Sequence, residues 1–88
     1  SYCATCDAPL IKNKRACIVG YDEHSVQEAN FVSEICDKVI FMPMGKFSAK
    51  LNEKIEVIFD KPIEFLGDSK AETLKCIKQE IKADGFLC

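Results

Sequence analysis

Arg15-Ala16-Cys17-Ile18-Val19-Gly20-Tyr21-Asp22-Glu23-His24-Ser25 is the stretch that decides the fold. Ala16 to Val19 is an unbroken apolar run, the pattern of a strand buried on both faces of a parallel sheet. Gly20 ends the run and opens a tight turn. A helix comes next, over 25–36. Ser25 and Glu28 have capping-box spacing, and Asp22 is an alternative N-cap. Val26, Ala29, Val32 and Cys36 share one face with Ile35 beside them, while Gln27, Asn30 and Glu34 point elsewhere. Asp37-Lys38 breaks the pattern, and Val39-Ile40-Phe41-Met42 reads as a second buried strand. Strand, glycine turn, helix and strand within about thirty residues make a βαβ unit, whose crossover is right-handed.

Downstream, Pro43-Met44-Gly45-Lys46 closes that unit, and 47–52 has room for one short helical turn. Lys54-Ile55-Glu56-Val57-Ile58-Phe59 alternates charged and apolar residues, as a strand with one wet face does. Ile63-Glu64-Phe65-Leu66, the turn Gly67-Asp68-Ser69 and Glu72-Thr73-Leu74-Lys75-Cys76-Ile77 read as an antiparallel hairpin. Residues 78–82 continue it or lead out of it, and Ala83-Asp84-Gly85 turns the chain into a last strand. The fold class is α/β: a small Rossmann-like βαβ unit with a parallel sheet, plus an antiparallel β-meander, as in a truncated FAD/NAD(P)-binding domain.

Composition narrows the classes. Eighty-eight residues support one domain with a modest core. The net charge is −2, and lysine and glutamate alternate along the chain, so no nucleic-acid footprint is present. No apolar run approaches the ~20 residues of a membrane span, and no signal peptide is recognisable. The expected location is the cytoplasm. The chain begins at Ser1 without a methionine and ends in Gly85-Phe86-Leu87-Cys88. It reads as a piece excised from a larger protein. Of its six cysteines, Cys17, Cys36 and Cys76 lie in apolar patterns and suit small buried thiols.

The remaining chemistry opens the chain: Ser1-Tyr2-Cys3-Ala4-Thr5-Cys6-Asp7. Two residues between cysteines bring both sulfurs within bonding reach on a first helical turn. Helix-end amides there favour a thiolate, the form that attacks disulfides. Asp7 could exchange a proton with the departing sulfur. Redox chemistry, metal binding and a bland reduced pair all remain open for a lone CxxC. A four-thiolate zinc site of Cys3, Cys6, Cys17 and Cys36 lacks a second CxxC and needs a residue from a buried strand, so no metal site is assigned. His24, the single histidine, suits a solvent-facing helix start. Met42 and Met44 suit core and loop filling, and the Lys/Glu alternation around 50–56 a solvated face.

The Gly20 turn stands where dinucleotide-binding domains carry G-x-G-x-x-G, so that backbone amides meet a pyrophosphate. Here the six positions are Gly20, Tyr21, Asp22, Glu23, His24 and Ser25. Only the first glycine is present, and two carboxylates stand where a phosphate must approach. A carboxylate ~4 Å from a phosphate charge costs roughly 1 kcal/mol in water and ~4 near a protein surface. The helix dipole returns only about 0.3–1 kcal/mol. Repulsion wins. The end of the next strand, Met42-Pro43-Met44-Gly45-Lys46, offers no acid for a ribose and a single cation for a 2'-phosphate. Gly20 is left as a weak, degenerate cofactor contact.

Ser1-Tyr2-Cys3-Ala4-Thr5-Cys6-Asp7 closely resembles the active-site segment of the low-molecular-weight, flavin-dependent thioredoxin reductases. The chain beyond Asp7 resembles that family's central pyridine-nucleotide domain: a lysine-flanked turn, strand, glycine turn and a helix whose Val26-Gln27-Glu28-Ala29 is similar to the family's Val-Glu-Glu-Ala. A second strand, a meander and Asp84-Gly85-Phe86 complete the order. The resemblance covers essentially the whole chain.

It implies that Cys3 attacks a thioredoxin disulfide, that Cys6 is the flavin-proximal partner and that Asp7 is the acid/base. It implies FAD held by another domain of a homodimeric full-length protein, so that this piece alone does not turn over. The departures are at the nucleotide site: one glycine of the loop survives, Pro43-Met44-Gly45 replaces the family's His-Arg-Arg, and the second crossover helix shrinks to 47–52. NADPH is therefore not the expected donor. The pattern is similar to reductases that draw on ferredoxin or another non-NADPH donor. Three parts are expected: 1–14, the CxxC redox segment; 15–46, a degenerate dinucleotide-binding βαβ; and 47–88, a short connection and meander. The alternative readings are an NADPH-binding domain of a conventional thioredoxin reductase and a redox-inert interaction or metal module.

Overall fold

The computed structural model describes residues 14–67 and 72–87. Its elements are β1 (Arg15–Gly20), α1 (Glu23–Ser33), β2 (Lys38–Pro43), β3 (Glu56–Val57), β4 (Pro62–Gly67), β5 (Glu72–Cys76), β6 (Glu80–Ala83) and β7 (Gly85–Leu87). One sheet is four-stranded in the order β3-β2-β1-β7, with every neighbouring pair parallel. The other is an antiparallel meander, β4-β5-β6.

Alternation along the two central strands sets the layers. Ala16 and Ile18 of β1, with Val39 and Phe41 of β2, meet Val26, Ala29 and Val32 of α1. Cys17 and Val19, with Ile40 and Met42, meet Leu74, Cys76, Ile81 and Ala83 of the meander. The parallel sheet is thus covered by the helix on one face and by the antiparallel sheet on the other. That is why its central strands read as continuous apolar runs. The α/β class and the split into a parallel sheet and a meander are as the sequence indicates.

Three local expectations differ. The helix spans Glu23–Ser33 rather than 25–36, and it starts early because the Asp22 side chain accepts from the Ser25 amide at 3.1 Å and takes the N-cap. Ser25, within the first turn, donates its hydroxyl back to the Asp22 carbonyl at 2.5 Å. The alternation over 54–59 yields only the two ladder residues of β3, opposite Ile40 and Phe41. Finally, 47–52 contains no helical turn. Among the described residues no helix is long and apolar enough to cross a membrane.

Candidate functional site

The site of interest is the carboxyl end of β1, where the chain turns into α1. Gly20 is buried, and a Cβ built on it would run into the Phe41 ring and come within 2.6 Å of Ser25 Oγ. The missing side chain therefore faces the core. The strand and helix approach each other closely here because this position carries only hydrogen.

Past Gly20 the carboxylates are all engaged. Asp22 has extended backbone angles, φ −148° and ψ 176°, and its Oδ1 accepts the Ser25 amide. An anion at a helix start is held by such amides. Here one of them is already taken by a fixed negative charge. Glu23 reaches across to the connection after β2. Its Oε2 accepts from the Ser48 amide at 2.9 Å and the Ser48 hydroxyl at 3.3 Å, and its Oε1 from the Ala49 amide at 3.1 Å. The Ser48 amide, then the Ala49 amide, holds the Glu23 carboxyl below its ordinary value of 4.5. The glutamate stays ionised as a bidentate acceptor of two backbone N–H groups.

The same helix side continues the anchoring. Asn30 donates Nδ2 to the Lys50 carbonyl at 3.0 Å and accepts the Asn52 amide at 2.7 Å. Asn52 Nδ2 donates to Glu34 Oε1 at 3.2 Å. Glu23, Asn30 and Glu34 thus hold 48–52 in an irregular path along α1. Phe47 and Leu51 tuck their side chains against the core below. The stretch has room for one helical turn, but its Ser48, Ala49 and Asn52 amides are held by side chains of α1.

Comparison with known proteins fits this geometry. No family model matches the chain. The thioredoxin reductase of Aquifex aeolicus is 31% identical over 100 aligned residues, which cover 99% of this chain and 30% of that protein. A crystal structure of a ferredoxin-flavin thioredoxin reductase from Clostridium acetobutylicum superposes with a TM-score of 0.90 and 42% identity, covering 99% of this chain and 31% of that one. The chain belongs to the thioredoxin reductase family. A second crystal structure of a Clostridium acetobutylicum ferredoxin-flavin thioredoxin reductase gives a TM-score of 0.89 and 49% identity over 98% of this chain and 30% of that one. The chain therefore spans about a third of the length of the relatives it matches.

As a thioredoxin reductase segment, the chain carries its dithiol motif Cys3, Cys6 and Asp7 outside the described residues. Within them, Cys17, Cys36 and Cys76 are buried. Burial, then the charge of Asp84, pushes the Cys36 thiol up; burial, then Asp60, does the same to Cys76. Cys17 packs in the core on the meander side and Cys36 in the core on the helix side. The sheet therefore separates Cys17 from Cys36, the two described members of the four-cysteine zinc set. His24 is largely exposed and lies 3.2 Å from Glu28, one turn along α1. Met42 is fully buried and Met44 packs at the edge of the same cluster. Sequence reading flagged Asp22 and Glu23 as intruders at a phosphate site. It missed what Glu23 holds, because Ser48 and Ala49 are 25 and 26 residues away.

Proposed function

We propose that this chain is the dithiol-bearing part of a flavin-dependent thioredoxin reductase that takes its electrons from a ferredoxin rather than from NADPH. The observation that carries the donor half of this reading is the Gly20 turn. Its helix-start amide is capped by Asp22, and its neighbouring carboxylate, Glu23, is locked onto the following loop. A pyridine dinucleotide would have to displace or oppose two fixed negative charges, and the residues present do not fit it. Likeness to the Clostridium acetobutylicum ferredoxin-flavin thioredoxin reductases supports the same direction. Gly20 is then retained for strand–helix packing rather than for cofactor approach.

The dithiol step belongs to the segment before β1. The Cys3 thiolate attacks one sulfur of the thioredoxin disulfide, forming a mixed disulfide and releasing one thioredoxin thiolate, which takes a proton through Asp7. The Cys6 thiolate then attacks Cys3 of the mixed disulfide. This frees the second thioredoxin thiolate, which is also protonated, and leaves a Cys3–Cys6 disulfide. FAD held elsewhere in the full-length protein would supply the two electrons that, with two protons, return this disulfide to the dithiol.

Two measurements on the full-length flavoprotein test this. Cys6→Ser should trap a stable mixed disulfide with thioredoxin through Cys3, and Cys3→Ser should trap none. Anaerobic mixing with reduced ferredoxin should bleach the flavin, and mixing with NADPH should leave it oxidised. Rapid reduction by NADPH with none by ferredoxin would refute the proposed donor.

A further inference from the structure

Two consecutive amides of the connection after β2 converge on one carboxylate. Ser48 donates its N–H and its hydroxyl to Glu23 Oε2 at 2.9 and 3.3 Å, and Ala49 donates its N–H to Oε1 at 3.1 Å. Each carboxylate oxygen thus receives its own backbone donor. Successive N–H groups aimed into one space make an anion-binding concavity. Among the described residues no lysine or arginine pairs with Glu23, so these donors alone meet its charge. The Ser48 amide is the largest influence keeping this carboxyl ionised, and the opposing charge of Asp22 is the smallest.

The concavity has anchors of its own on both sides. Before it, Phe47 packs against the core and meets the Phe41 ring edge-on, with centroids 5.8 Å apart. After it, Leu51 packs against the same core, and Asn30 holds the Lys50 carbonyl at 3.0 Å and the Asn52 amide at 2.7 Å. Ser48 and Ala49 hang between these anchors and are exposed. Glu23 reaches them from the first turn of α1, 25 residues away. Its bonds join the turn after β1 to the connection after β2. In dinucleotide-binding domains those two loops meet the pyrophosphate and the ribose.

We propose that the Ser48–Ala49 turn is a preformed carboxylate receptor, that Glu23 is its built-in ligand, and that the receptor takes a free carboxylate once the Glu23 side chain is shortened. One donor for each of two oxygens matches a planar carboxylate better than a tetrahedral phosphate. In wild type the tether decides the competition. A ligand on the same chain is present at an effective concentration on the order of millimolar or above, so a dilute free carboxylate does not displace it. The contact is autoinhibitory in this sense, and it does not depend on which protein donates electrons.

The test uses the full-length flavoprotein, reads amide exchange at Ser48 and Ala49, and takes sodium acetate, sodium phosphate and sodium chloride at matched ionic strength as probes. Glu23→Ala should speed exchange at both amides roughly fivefold or more, the worth of one lost hydrogen bond each. Acetate should then restore most of the protection in a saturable way, phosphate less, and chloride none. Wild type should respond to none of the three. Glu23→Gln should lose protection without regaining it in acetate, because its side chain still fills the space. Exchange at the Asn52 amide, held by Asn30, should stay as in wild type throughout. Faster exchange in Glu23→Ala that acetate leaves unchanged overturns the proposal, since the turn would then owe its shape to Glu23. So does exchange that the substitution does not alter, or restoration by chloride as good as by acetate, which would be screening alone. Restoration by phosphate and not by acetate would overturn the assignment to carboxylates.

Discussion

Gly20→Ala separates two reasons for keeping a glycine at the end of β1. The added methyl would lie 2.6 Å from Phe41 Cε1, closer still to Cζ, and 2.6 Å from Ser25 Oγ. Ordinary carbon contacts are ~3.5–4.0 Å, so the overlap is about an ångström on two sides. Neither neighbour retreats freely. Phe41 is 1% exposed and meets Phe47 edge-on, with ring centroids 5.8 Å apart. The Ser25 hydroxyl is tied to the Asp22 carbonyl that begins the helix. Overpacking of this kind costs about 1–3 kcal/mol, and in a domain this small each kcal/mol lowers Tm by about 4–8 °C. Urea unfolding of wild type, Gly20→Ala, Phe41→Leu and the double variant gives both the cost and its origin. The smaller side chain makes room for the methyl, so the double variant should be more stable than the sum of the singles predicts by about 1 kcal/mol. A Gly20→Ala variant within ~0.5 kcal/mol of wild type, or strictly additive behaviour, would refute the packing explanation.

Three further outcomes rest on the same geometry. Glu23→Gln should speed amide exchange at Ser48 and Ala49, whose N–H groups its carboxylate accepts. In wild type the same protection has a pH signature. The Glu23 pKa is depressed in the folded state, so its contribution is complete above 4.5 and is lost as pH falls through the lower folded value; protection that is flat across acid pH would contradict the latch. Asn30→Ala should loosen 50–52 and raise exchange at the Asn52 amide without affecting β1 or β2, read by the same experiment. Burial raises the thiols of Cys36 and Cys76, so in the reduced protein iodoacetamide at neutral pH should modify them on the order of tenfold more slowly than Cys3 and Cys6, as mass spectrometry of timed samples would show.

The core of this fold was legible because β1 and β2 are sandwiched on both faces. Burial on both sides leaves an uninterrupted apolar run, and the helix between them carries its apolar stripe at the right period. The helix start was ambiguous in sequence. Asp22 and Ser25 are both good caps, and only the backbone path after Gly20 decides that Asp22 reaches the Ser25 amide. The connection 47–52 was not legible, since what shapes it is Glu23, Asn30 and Glu34, distant in sequence and bonding backbone or side-chain groups that a local pattern would assign to a helical turn. β3 is shorter than its alternation because it is an edge strand and pairs only through Glu56 and Val57. The candidate site was half legible. The charge of Asp22 and Glu23 against a phosphate could be weighed from sequence; the hydrogen bonds that fix those carboxylates in place required the fold.

Equilibrium titration of this chain with NADPH, followed by calorimetry, tests the central claim most directly. Each fixed carboxylate opposes a phosphate by roughly 1 to ~4 kcal/mol, a loss of about five- to a thousandfold in affinity per group. The account predicts no saturable binding for wild type and detectable binding only when Asp22→Asn and Glu23→Gln are combined. Saturable wild-type binding in the micromolar range, undiminished by salt, would contradict it.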